Sequence, residues 1–149
     1  MARNPNEKPR DSTVLAWTRL VRAEQAVLGA VERDLKEAGF PPLAWYDVLL
    51  ELVRAPDGRL RPYEIEQKTL LAQYNLSRLL DRLERESVVR REICPDDARG
   101  HWIVVTDQGR ALREKMWKAY APAIQRHIGD KLDDKQVAVL GELLGRLLT

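Results

Sequence analysis

Gln73, Asn75 and Arg78 place planar, forked hydrogen-bonding groups within six residues of one another. A side-chain amide of that shape matches the paired donor and acceptor on an adenine edge, and a guanidinium matches the two acceptors on guanine. Tyr74 adds a ring and a hydroxyl to the same stretch, and Ser77 a second hydroxyl. Arg61, Lys68, Arg82 and Arg85 surround it as cations suited to phosphate oxygens, which fix register but carry little sequence information. Further on, Asp97, Arg99 and three more residues lead into the apolar run Ile103-Val104-Val105, which closes on Thr106.

The elements that must position these groups can be read from apolar spacing. Residues 1–10 hold two prolines, several charges and little that is apolar, which predicts a frayed tail. From Asp11 or Ser12, either of which suits an N-cap, Trp17, Leu20, Val21, Val27, Leu28, Val31 and Leu35 recur at helical spacing. Gly39, Pro41 and Pro42 end that long helix. A second helix carries Trp45, Val48, Leu49, Leu52 and Val53, and stops before the turn signal Pro56-Asp57-Gly58. Pro62 suits the first position of a third helix ending near Thr69, with Leu60 and Ile65 placed to pack as a hydrophobic staple.

Leu76, Leu79, Leu80 and Leu83 then form one helical stripe, leaving Gln73, Tyr74, Asn75, Ser77, Arg78 and Arg82 off it. Two short helices with a tight link make a helix-turn-helix. Residues 88–93 and 101–105 read as paired strands around a loop at 95–100, a two-stranded ribbon with a charged tip. Thr106 suits the cap of a helix whose stripe Leu112, Met116, Tyr120, Ile124 and Ile128 passes Pro122, where a kink or break is expected. Asp133 and Gln136 stand in capping-box positions before a last helix rich in leucine, with Leu132 and Val137 as its staple. The predicted class is mainly α with a small β-ribbon, a winged helix-turn-helix.

Composition bounds the function. At 149 residues and 44% hydrophobic content, the chain suits one domain with a genuine core. A net charge of +2 and a pI near 8.8 permit nucleic-acid binding without demanding it. Seven basic residues against five acidic between Arg61 and Arg91 is a modest surplus, and a solvated charged face is the plain alternative. A lone Cys94 cannot form an intramolecular disulfide, and neither a membrane-length apolar run nor a signal-peptide core occurs, so a soluble, cytoplasmic protein is expected. One cysteine and two distant histidines give no metal-ligand spacing, and no phosphate-binding glycine loop or nucleophile elbow is present. Neither an enzyme nor a bound cofactor is expected. A winged helix used only for protein contacts is the rival reading.

The stretch from Leu60 to Thr106 resembles the core of the MarR family of bacterial transcription regulators. Leu60-Arg61-Pro62 opens the first motif helix, Leu79-Leu80-Asp81-Arg82-Leu83-Glu84 closes the second, Val89-Arg90-Arg91 enters the wing, and Asp97, Arg99, Ile103 and Thr106 keep the family's wing spacing. The resemblance implies a winged helix-turn-helix part over residues 43–106, flanked by helices at 11–38 and 107–149 that interleave with a second subunit, all within one MarR-like domain over 11–149. It further implies a homodimer on pseudo-palindromic double-stranded DNA, repression as the default, Arg99 entering the minor groove and Asp97 bracing the wing arginines. In such proteins a cavity for small aromatic or phenolic effectors is bordered by the helices that here carry Trp17, Val21, Trp45 and Leu49. Taken singly, Trp17 and Trp45 are better read as core anchors. Cys94 stands at a strand end rather than in the first helix, and a passive packing role fits it better than redox sensing. Two positions depart from the family: Ala72 replaces a usual Ser near the start of the recognition helix, and Ser87 a usual Gly after it.

Overall fold

A computed structural model of the chain describes residues 4–71, 73–96 and 100–149. Its helices are α1 (Asp11–Glu37), α2 (Leu43–Arg54), α3 (Pro62–Lys68), α4 (Gln73–Arg85), α5 (Asp107–Ile124) and α6 (Asp134–Arg146), and its strands are β1 (Arg59–Leu60), β2 (Val89–Ile93) and β3 (His101–Val105). The chain divides into two compact units, one of residues up to Arg33 together with Ile124–Thr149, the other Asp34–Ala123. No helix among the described residues is long and apolar enough to cross a membrane.

In the unit Asp34–Ala123, Val48, Leu49 and Leu52 of α2, Ile65 of α3, Leu76, Leu80 and Leu83 of α4, and Val89, Ile103 and Val105 of the sheet form one buried cluster. Leu60 belongs to it as well. It precedes the cap residue Arg61, so with Ile65 at the fourth helical position it supplies the expected staple. The sheet is antiparallel in the order β1-β3-β2. The wing is therefore three-stranded rather than two: Arg59 and Leu60 pair with Val104 and Ile103, while Val89 to Ile93 pair with Val105 to His101. A strand of two residues is too short to show an alternating pattern, so it escaped the sequence reading.

Helix α1 begins at Asp11, and the amides of Thr13 and Val14 donate to the Arg10 carbonyl. Asp11 is thus a first-turn acid favourable to the helix dipole, and Arg10 takes the cap position expected for Asp11 or Ser12. Pro122 neither ends nor divides α5, which runs on to Ile124. The irregularity comes just after it, as a π-turn over Gln125–Gly129 in which the Asp130 amide donates to the Gln125 carbonyl at 2.8 Å. In the other unit, the Asp133 carboxylate accepts from the Gln136 amide at 2.8 Å and the Gln136 side chain accepts from the Asp133 amide at 3.0 Å, closing the capping box of α6. Large apolar side chains lie exposed along α1, at Val14, Leu15, Trp17 and Leu28, and along α6, at Val139 and Leu143, with Leu147 just past its end.

Candidate nucleic-acid interface

The segregation of charge on α4 follows from helical geometry. Leu76, Leu80 and Leu83 are buried, which fixes the rotation of the helix on the core. Asn75, Arg78, Arg82 and Arg85 are spaced by three, four and three residues, so they form one stripe on the opposite side, and all four are exposed. The three arginines form no ion pair among the described residues. Asp81 and Glu84 occupy the flank between stripe and core, and both are held by Arg91 of β2. One of its terminal nitrogens lies 2.8 Å from Asp81 Oδ1 and the other 2.9 Å from Glu84 Oε1. The acids of α4 are thus drawn toward the sheet and its uncompensated cations toward solvent.

The wing is tied to the helices on both sides. The Thr106 hydroxyl donates to the Ser87 carbonyl at 2.6 Å and accepts from the Gly109 amide at 3.1 Å, so one side chain joins the exit of α4 to the start of α5. This is the cap expected of Thr106. Ser87 adopts φ +61°, the left-handed conformation natural to the glycine it replaces. On the sheet face carrying Arg59, Arg90, Glu92, Trp102 and Val104, the guanidinium carbons of Arg59 and Arg61 lie 4.5 and 4.7 Å from the centre of the Trp102 ring. Sequence reasoning passed over Arg59 and Trp102. Their only signal was an aromatic residue two positions beyond Gly100, with no hint of its cross-strand partners.

The predicted residues are distributed as follows. Asn75, Arg78 and Arg82 share the α4 stripe; Lys68 is exposed at the end of α3. Gln73 and Tyr74 form the first turn of α4. Ser77 lies off the stripe and, with Arg61, Arg91 and His101, lines a cleft between α3, α4 and the wing. Asp97 and Arg99 lie outside the described residues, as does Ala72. Cys94 is buried just past β2, and the two arginines near it are engaged elsewhere, Arg90 with Glu92 and Arg91 with α4.

The residues proposed to border an effector cavity have different surroundings. Trp17, on α1, is 66% exposed, so the expectation that it anchors the core of one chain fails, and Val21 is exposed as well. Trp45 packs half-buried against the core as expected, and Leu49 is fully buried within it. An aromatic group that spacing alone did not single out joins α2 to α5: the Tyr46 ring lies 5.0 Å from Tyr120 and 6.1 Å from Trp117, which lie 5.6 Å from each other.

This architecture, a helix pair and a three-stranded wing behind a cationic helix face, defines a winged helix-turn-helix protein. The family model described as MarR family matches residues 38–100. The chain is 28% identical over 131 residues to YkoM, an HTH-type transcriptional regulator of Bacillus subtilis, spanning 88% of this chain and 83% of that protein. It is 30% identical over 105 residues to the B. subtilis HTH-type transcriptional repressor YetL, over 68% of this chain and 63% of the repressor. In structure it is similar to Sco3205, a MarR family transcriptional regulator of Streptomyces coelicolor solved in complex with DNA, with a TM-score of 0.85, 27% identity and coverage of 97% of this chain and 91% of that one. The chain belongs to the MarR family of winged helix-turn-helix transcriptional regulators.

Proposed function

We propose that this chain acts in the cytoplasm as a homodimeric repressor that binds pseudo-palindromic double-stranded operator DNA, with an affinity adjusted by a small aromatic or phenolic ligand. The observation that carries the DNA reading is the α4 stripe: Asn75 with three arginines that form no ion pair among the described residues, facing away from a core that fixes its direction. A helix presented in this way fits a major groove, with Gln73, Tyr74, Asn75, Ser77 and Arg78 nearest the base edges. Lys68, Arg82 and Arg61 are assigned to phosphates, Arg99 to the minor groove and Asp97 to bracing the wing. Sco3205, which was solved with DNA, and YetL, a repressor, support the direction of this reading.

The exposed apolar side chains of α1 and α6 support the dimer, because so many large apolar groups along two helices call for a covering surface. Support for an effector comes from the Tyr46, Trp117 and Tyr120 rings, with Trp117 still exposed. Such a ligand regulates only through different affinity for the DNA-binding and non-binding states. Within the same compact unit, Trp45 and Leu49 remain its proposed neighbours.

Binding measured on operator and scrambled duplexes over a salt series tests the assignment. Changes at Gln73, Asn75 or Arg78 are expected to alter base preference, and Arg99→Ala to weaken binding to all sequences. Intact binding in both sets of variants would refute this reading head. Phenols that quench tryptophan fluorescence and also release DNA would support the effector; quenching without release would count against it.

A further inference from the structure

We infer that Trp102 is a positioning residue that holds Arg59 and Arg61 together as a clamp for the phosphodiester backbone of duplex DNA, a contact separate from the base-reading stripe and resting on the DNA-binding reading above. Two cations converging on one ring would ordinarily repel each other. Here each guanidinium carbon lies within 5 Å of the ring centre, where the negative face of the indole offsets part of that repulsion. Stacking engages the flat face of a guanidinium and leaves its N–H edge free to donate, the geometry that suits bidentate contact with phosphate.

The local charge balance favours an anion. Among the described residues, the carboxylate paired on this face is Glu92, which lies 3.8 Å from Arg59 and is bonded to Arg90 at 2.9 Å. Arg61 has no side-chain ion pair among the described residues, and its backbone amide is satisfied by Glu64 at 3.0 Å. Among the described residues, one ion-paired carboxylate therefore serves three guanidinium groups here, and a polyanion supplies what is missing. The position is also suitable: Arg61 immediately precedes the first helix of the helix-turn-helix, and with Gly100 and His101 it lines the cleft beside α4. Ordering two long side chains on a ring before binding lowers the entropy lost when they meet phosphate.

The test is binding of one fixed duplex, and of a scrambled one, across a salt series, with thermal unfolding of every variant. Arg59→Ala and Arg61→Ala are each expected to reduce the slope of log affinity against log salt by about 0.9, one phosphate contact apiece. Trp102→Leu is expected to weaken both duplexes equally, about 3- to 10-fold, and Trp102→Phe to restore most of that loss because it keeps an aromatic face. If Trp102→Leu does not fold, Arg59→Lys keeps the charge while losing the flat stack, and is expected to preserve the slope and lower affinity about 3-fold. Wild-type slope and affinity in Arg59→Ala, or undiminished binding in Trp102→Leu or Arg59→Lys, would overturn the clamp and leave the DNA reading standing. Failure of the wild-type chain to bind any duplex in dilute buffer would overturn both.

Discussion

Arg91 of β2 and Asp81 of α4 meet at 2.8 Å across ten residues of sequence, and the other arm of the same guanidinium reaches Glu84 at 2.9 Å. The wing and α4 thus share one cation. Burial works against its charge, yet hydrogen bonding and attraction from Asp81 and Glu84 prevail and raise its pKa above the ordinary arginine value. Arg91→Ala should loosen the wing and leave two carboxylates beside the cationic stripe of α4. The side chain is 29% exposed, so the expected loss of stability is modest, about 1–2 kcal/mol, with a larger effect on function, about 10-fold weaker binding to every duplex. Chemical denaturation and duplex titration of the same variant check both; unchanged binding would show that the fork does not position the wing.

Ser87 holds φ +61° where the chain leaves α4, and its carbonyl accepts from Thr106. A residue with a Cβ is strained there, whereas glycine adopts this conformation freely but is more flexible when unfolded. The strain should outweigh the added flexibility, so Ser87→Gly is expected to stabilise the protein by about 0.5–1 kcal/mol. Thermal unfolding should show this as a rise of about 1–4 °C, and a fall would contradict the account.

Gly109 reverses the usual preference for alanine in helices. Alanine in a helix interior is favoured by about 1 kcal/mol, but a Cβ here would run into the Val88 carbonyl and lie 2.9 Å from Val105 Cγ2. That carbonyl cannot swing away, because it accepts from the Thr106 amide at 3.2 Å. Overpacking against fixed backbone falls in the upper part of the usual cost of about 1–3 kcal/mol and should win, making Gly109→Ala destabilising by about 1–2 kcal/mol. A denaturant midpoint at or above that of wild type would show that the helix start yields to the added methyl.

The features that sequence predicts well are those set by local chemistry. Pro62, the Leu60 and Ile65 pair, and the Asp133–Gln136 box mark helix starts because each acts within one turn, and the expected strands 88–93 and 101–105 match β2 and β3 to within one residue. Features that depend on distant partners were hidden. β1 exists only because β3 lies beside it; the partners of Arg91 lie seven and ten residues back, and those of Trp102 more than forty. The irregularity attributed to Pro122 falls instead at Gln125–Gly129, since a π-turn has no local composition signal. Trp17 looked like a core residue because helical spacing shows that a face is apolar without showing what covers it.

Selection of bound duplexes from a random DNA pool by the purified full chain tests the central claim most directly. The account predicts enrichment of a pseudo-palindrome whose half-site centres lie about 10 base pairs apart or a multiple of that, with Arg78→Ala altering the preferred base at matching positions in both halves. Recovery of unenriched DNA, or of a consensus that Arg78→Ala leaves unchanged, would contradict it.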